Sequence, residues 1–191
     1  MKRIAIFASG AGSNAAKIIK HFSTSSFIQI ALIVSNKSNA GVLTIANQHT
    51  IPSLLIEKEQ FFRGDAYVEQ LKKNQIDFIV LAGFLWKVPE KLIQAFPNAI
   101  VNIHPALLPN YGGKGMYGSL VHEAVIANKE KESGITIHWV NEHFDKGEHI
   151  FKATCTVEEN ETPESLASKI HALEHTHFAR VIEELLIKNN I

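Results

Sequence analysis

Two residues at the end of one apolar segment have the types and spacing for carbonyl chemistry. In Val101-Asn102-Ile103-His104-Pro105 the asparagine and the histidine are separated by a single residue. The apolar run Ala99 to Ile103 reads as a strand, and strand side chains alternate between faces, so Asn102 and His104 share one side. An asparagine amide can donate to a carbonyl oxygen that turns negative in a tetrahedral intermediate. A histidine exchanges protons near neutral pH. The pair suits attack on an activated carbonyl, although the same tripeptide also serves as plain structure. Asp145, in Asn141-Glu142-His143-Phe144-Asp145-Lys146-Gly147, is a candidate orienting acid for the imidazole. It is equally a candidate turn residue, a task that aspartate and glycine do well. Spacing alone does not bring Asp145 to His104.

A second feature lies near the N-terminus. Ser9-Gly10-Ala11-Gly12-Ser13-Asn14-Ala15 follows one apolar run and opens a helical pattern. Backbone N–H groups at a helix N-terminus bind phosphate, and glycines let it approach. A dinucleotide site also needs an acid about 20 residues on, for the ribose hydroxyls. Here the second strand ends Val34-Ser35-Asn36-Lys37, without one. A phosphate pocket fits better than a nicotinamide site; a bare strand-to-helix turn is the alternative.

The elements that must hold these residues can be read from periodicity. Apolar runs at 4–8, 28–34, 53–56, 78–82 and 99–103 read as strands. Helical patterns at 13–22, 40–48, 61–74 and 91–96 separate them. Continuous apolar strands alternating with helices indicate a parallel sheet covered on both faces. In such a sheet ligands bind at the carboxyl ends of the strands, where the glycine loop, Gly83-Phe84 and the Asn-Ile-His end all fall. Beyond the glycine-rich stretch Tyr111 to Gly115 come a helix at 119–128 and strands at 134–140 and 149–157. The link between those two strands is too short for a crossover helix, so they should be antiparallel. A long last helix begins at Pro163, behind Thr162 as N-cap.

The 191 residues fit one domain, expected over 1–191. Lysine plus arginine equals aspartate plus glutamate, 19 each, which argues against nucleic-acid or membrane-surface partners. Cys155 is the single cysteine, so no intrachain disulfide can form. The longest apolar run, Ile79 to Trp86, is too short to span a bilayer. With no signal-peptide pattern, a cytoplasmic location is expected. Monomer and homodimer both stay open. His171-Ala172-Leu173-Glu174-His175 spells an inverted zinc-protease motif, but a further ligand would have to come from elsewhere, and no metal is expected. His122, His143 and His149 read as surface or structural, and His138 as structural or supporting.

The ordered set Ser9-Gly10-Ala11-Gly12-Ser13-Asn14, Val34-Ser35-Asn36-Lys37, Leu81-Ala82-Gly83-Phe84, Asn102-Ile103-His104-Pro105, Leu107-Leu108-Pro109, Gly134-Ile135-Thr136-Ile137-His138 and Asp145-x-Gly147 resembles the phosphoribosylglycinamide formyltransferase family. The resemblance runs over roughly residues 3 to 187. It implies a single-domain, Rossmann-like formyltransferase fold. It also implies transfer of the formyl group of 10-formyltetrahydrofolate, as cosubstrate, to the amine of glycinamide ribonucleotide in purine biosynthesis. On this resemblance Asn102, His104 and Asp145 are catalytic, with Asp145 keeping His104 protonated. Gly12, Ser13, Asn14, His171 and Glu174 bind the ribonucleotide. Arg63, Leu85, Trp86, Lys87, Val88 and Asn102 bind the folate. Leu85-Trp86-Lys87-Val88 departs from the family's usual Met-Arg followed by two aliphatics, which bears on its side-chain contacts. The rival expectations are a formyltetrahydrofolate hydrolase-like enzyme and a catalytically silent folate- or nucleotide-binding module.

Overall fold

The computed structural model describes residues 1–63 and 65–188. In chain order the elements are β1 (Lys2–Phe7), α1 (Ser13–Phe22), β2 (Ile28–Ser35), α2 (Gly41–Gln48), β3 (Ser53–Leu55), α3 (Lys58–Arg63) and α4 (Ala66–Lys73). They continue with β4 (Phe78–Leu81), α5 (Glu90–Ala95), β5 (Ile100–His104), α6 (Ser119–Ala127), β6 (Glu132–Trp139), β7 (His149–Thr156) and α7 (Pro163–Lys188). The strands form one sheet in the order β3-β2-β1-β4-β5-β6-β7. Pairings among β1 to β5 are parallel. β6 runs antiparallel to β5, and β7 antiparallel to β6. This is the expected α/β architecture with its antiparallel pair and long final helix.

The central strands are buried because helices cover both faces. Ile4, Ala5, Ile6, Ile33, Val34, Phe78, Ile79, Val80 and Val101 have no accessible surface. That double burial is why their sequences run apolar without alternation. α1 turns Ala15, Ile18, Ile19 and Phe22 into the core, the one-sided spacing of a helix lying on a sheet. α7 starts as its sequence indicates: the Ser165 N–H donates to Thr162 Oγ1 at 3.2 Å, which satisfies one of the orphan donors of a first turn.

One expected element differs. The pattern over 61–74 predicts a single helix, but the chain forms α3 and α4, with a break between Arg63 and Ala66. The sequence there is Gly64-Asp65; glycine weakens a helix interior, and aspartate favours the position just before one. Asp65 does occupy the N-cap position of α4. Gly64 lies outside the described residues.

The strand order reverses direction between β1 and β4: β2 and β3 lie to one side of β1, and β4, β5 and the antiparallel pair to the other. Loops leaving the carboxyl ends of β1 and β4 therefore diverge and open a crevice.

Candidate active site

The crevice is a cavity of about 750 Å³ lined by the glycine loop, the chain after β4, the end of β5, the Gly113–Gly118 segment and parts of α7. That is within the usual size for a small-molecule site.

β5 brings in the first two side chains. Asn102 and His104 lie on one face of it, and both line the cavity. Antiparallel pairing places His138 of β6 directly opposite Asn102, and Thr136 opposite His104. Cross-strand partners share a face, so His138 joins the cluster: its Nε2 is 3.1 Å from Asn102 Nδ2. Thr136, fully buried, ties down the chain after β5; it donates to the Ala106 carbonyl and accepts the Leu108 N–H.

Asp145 arrives from the loop between β6 and β7. Its φ of 53° lies in the left-handed region, which aspartate tolerates better than most residues. Two positions on, a Cβ at Gly147 would sit 1.6 Å from the Trp139 carbonyl oxygen, so the turn admits glycine alone. The turn aims the Asp145 carboxylate into the cluster. One oxygen is 3.4 Å from Asn102 Nδ2 and 3.6 Å from His138 Nε2. The other accepts the Gly113 N–H at 2.9 Å and stands 3.7 Å from His104 Nδ1. Asp145 is thus both of the things its sequence context offers, a turn residue and a partner of His104.

Hydrogen bonding fixes the rings. His104 Nε2 is 2.7 Å from the Tyr111 carbonyl. A carbonyl oxygen only accepts, so Nε2 carries a proton and the neutral ring leaves Nδ1 as a free base toward Asp145. His138 Nδ1 is likewise committed to the Trp139 carbonyl at 2.8 Å.

Burial pushes the His104 pKa below its ordinary 6.5; the Asp145 charge and the Tyr111 carbonyl pull it back up without overcoming burial, and His138 adds to the lowering. The expectation is that Asp145 keeps His104 protonated; Asp145 does pull in that direction, and burial of the ring pulls harder in the other. Burial would raise the Asp145 pKa, but the neighbouring His138 and His104 rings and the Gly113 N–H together hold it below the ordinary carboxylate value. Asp145 stays ionised beside a neutral histidine.

The opposite wall is the glycine loop. Gly12, at φ 83°, is the N-cap of α1, and a Cβ there would meet Val42 Cβ at 2.8 Å. No side chain caps the first turn of α1, and Gly12, Ser13 and Asn14 line the cavity. Asn14 Nδ2 donates to Glu174 Oε2 at 2.8 Å, joining α1 to α7. Asn14 Oδ1 is buried without a partner among the described residues. Such a group costs about 1–3 kcal/mol unless something binds it. Glu174 is buried, which raises its pKa; the Asn14 amide and His171 offset only part of this. His171 also lines the cavity.

The chain after β4 forms a third wall. Ser9 Oγ donates to Asn36 Oδ1 at 2.6 Å and accepts the Leu85 N–H at 3.0 Å. Leu85, Trp86, Lys87 and Val88 all line the cavity. Trp86 packs with Phe61 and Phe62, ring centroids 5.7 and 5.8 Å away. Arg63 is not brought there. It is among the more exposed side chains, paired with Glu59 at 3.6 Å, and does not line the cavity. Arg63 shares one side of α3 with Glu59, whereas Lys58 and Phe62, also four residues apart, line the cavity.

His138, read from sequence as structural or supporting, belongs to the cluster, and His122, read as surface or structural, is buried at the cavity wall. For His138 a signal existed: Thr136 and His138 are polar at period two inside an apolar strand. For His122 none did.

A glycine loop at a helix N-terminus, an Asn-His pair on a strand end and an aspartate with a lowered pKa surround one cleft. The chain belongs to the formyl transferase family: the family model described as "Formyl transferase" matches residues 2–182. Among relatives, it is 35% identical to the phosphoribosylglycinamide formyltransferase of Bacillus subtilis (strain 168), over all of this chain and 97% of that one. It is 41% identical to the chloroplastic phosphoribosylglycinamide formyltransferase of Arabidopsis thaliana, over 95% of this chain; it spans only 64% of that protein's length. The crystal structure of phosphoribosylglycinamide formyltransferase from Bacillus halodurans superposes with a TM-score of 0.88 at 37% identity, covering 97% of this chain and 95% of that one.

Proposed function

We propose that residues 1–191 form one formyltransferase domain, which moves the formyl group of 10-formyltetrahydrofolate to the amine of glycinamide ribonucleotide in purine biosynthesis. The observation that carries this reading is that Asn102, His104 and Asp145 meet in one cavity with the glycine loop. The names of the relatives point the same way. The first turn of α1, with Asn14, Glu174 and His171, would take the ribonucleotide. Leu85 to Val88 would take the folate.

The chemistry follows from the resting state. The amine attacks the formyl carbon, forming the new C–N bond as the carbonyl oxygen takes up the charge. The Asn102 amide, whose two N–H groups meet His138 and Asp145 in the resting site, turns the more weakly held one, 3.4 Å from Asp145, to that oxygen. His104, neutral with Nδ1 free, accepts the proton that the amine must lose. The imidazolium so formed lies between the Asp145 carboxylate and the Tyr111 carbonyl, which stabilise it. The C–N bond to the folate then breaks, and the folate nitrogen takes a proton as it leaves. Formylated ribonucleotide and tetrahydrofolate result, and His104 is neutral again. Asp145 anchors and charges the cluster; its low pKa keeps it from being the base.

The test is to mix the protein with 10-formyltetrahydrofolate, with and without glycinamide ribonucleotide, and follow folate absorbance. Turnover that requires the ribonucleotide is expected. Turnover without it would replace this reading with the hydrolase. Binding without turnover would replace it with a silent module. No helix among the described residues is long and apolar enough to cross a membrane, and we infer that the protein works in the cytoplasm.

A further inference from the structure

The catalytic histidine is held from outside the cleft. Tyr111 has φ 56°, a left-handed conformation that a bulky residue adopts only when its surroundings impose it. One imposing contact is visible. The Tyr111 hydroxyl donates to Glu130 Oε1 at 2.6 Å, and Glu130 stands in the turn just after α6, where its own N–H bonds to the Val125 carbonyl. Neither Tyr111 nor Glu130 lines the cavity. The Tyr111 carbonyl is nonetheless the acceptor of the His104 Nε2 proton, and Gly113, two residues on, donates its N–H to Asp145. A single short segment therefore grips both His104 and Asp145, and the Tyr111–Glu130 bond fastens that segment to the end of α6.

We propose that Glu130 is a positioning residue: by clamping the Tyr111 hydroxyl it holds the Tyr111 carbonyl against His104 Nε2, and so keeps Nδ1 as the free base facing Asp145. This rests on the proposed function only for its kinetic arm. The clamp is fit for the task. Burial first, then the hydrogen bond and charge of Glu130, push the Tyr111 pKa up to about 12, so the phenol keeps its proton at any working pH. Without the clamp the strained residue can relax, the carbonyl can leave Nε2, and the neutral ring gains access to the other tautomer. The groups facing His104 are the Tyr111 carbonyl, the Asp145 carboxylate and the rings of His138 and His122. Of these, the carbonyl favours a proton on Nε2 and the Asp145 carboxylate favours one on Nδ1; the carbonyl contact at 2.7 Å, against 3.7 Å for the carboxylate, decides for Nε2.

The experiment is nitrogen NMR of protein labelled in its histidine rings, with His104→Gln identifying the His104 signals. In the wild type, neutral His104 is expected as the Nε2–H form; an Nδ1–H form there would overturn the proposal without any variant. In Tyr111→Phe and in Glu130→Ala the signals are expected to move toward a mixture of tautomers. The titration midpoint should fall further, because the carbonyl is, after the Asp145 charge, the contact that offsets burial of the ring. The double variant should be no worse than either single one. Glu130→Gln, whose amide oxygen still accepts, should restore the wild-type signals. In the transfer assay kcat should drop about tenfold, with both KM values within about twofold, as for misplacement of a catalytic group. Unchanged tautomer and midpoint in folded Tyr111→Phe and Glu130→Ala would overturn the proposal. If the wild type shows no transfer, the proposed function fails and the tautomer result stands on its own.

Discussion

At the scale of single residues, Asn102 and Asp145 do different things, and their variants should differ. Asn102→Ala removes the donor to the developing oxyanion, and kcat should fall about 10²- to 10³-fold with smaller changes in KM. Near-normal turnover would remove Asn102 from the mechanism. Asp145→Asn leaves the turn but removes the charge that raises the His104 pKa. The base must be neutral, so the acid limb of the wild-type rate should have its midpoint below pH 6.5. In Asp145→Asn the residual activity should show that acid limb at still lower pH; a shift toward higher pH would contradict the electrostatics. Glu174 has the opposite sign. Its pKa is raised in the fold, so the stability it contributes is present below its ordinary value and lost as pH rises through the raised one. Glu174→Gln should therefore melt a few degrees higher at pH 7.5 (about 2–4 °C per kcal/mol) while the ribonucleotide KM rises about tenfold. An unchanged KM would separate Glu174 from ribonucleotide binding. Sequence showed Asn102 and His104 together because strand alternation is local. It could not show the 3.7 Å from His104 to Asp145, which depends on β6 docking antiparallel beside β5.

Among the elements, the loop between β6 and β7 is the least forgiving. At Gly147 the obstacle to a Cβ is the Trp139 backbone oxygen, which cannot swing aside. Gly147→Ala should destabilise the protein by about 3 kcal/mol, lowering Tm by roughly 6–12 °C for a chain of this size. Any folded fraction should have lost kcat, because Asp145 sits on this turn and the obstructed Trp139 carbonyl is the one that holds His138 Nδ1. A melt within about 2 °C of wild type would mean that the loop can rebuild. The parallel strands were legible from their unbroken apolar runs, since burial on both faces erases alternation. What stayed hidden was order: nothing in Glu132 to Trp139 says that it lies beside β5 rather than at a far edge. The break between α3 and α4 had a trace in Gly64-Asp65, outweighed by the apolar spacing on either side. Within α3 it is Phe62, and not Arg63, that reaches the cavity, because the two adjacent residues point to different sides of the helix.

Over the whole molecule, the cleft draws on both ends of the chain, so occupancy should be felt globally. With one substrate alone at about 100 times its Kd, binding adds about 2.7 kcal/mol of stability, or roughly 5–10 °C in Tm. A ribonucleotide that raises Tm in wild type but not in Glu174→Ala would tie the effect to α7; equal shifts in both would break that link. The overall architecture was readable because alternating strands and helices leave few packings open. The assembly of the cleft was not, since it is made by pairs far apart in sequence. The bond from Asn14 to Glu174 spans 160 residues, and it bears on how the protein is made. During synthesis the glycine loop and the Asn-Ile-His strand end leave the ribosome well before α7 does. The nascent chain thus carries half of a cleft that cannot grip its ligand until the final helix docks. Closing so long a loop comes late in folding, so the appearance of ribonucleotide affinity would time the last step of folding rather than the first collapse.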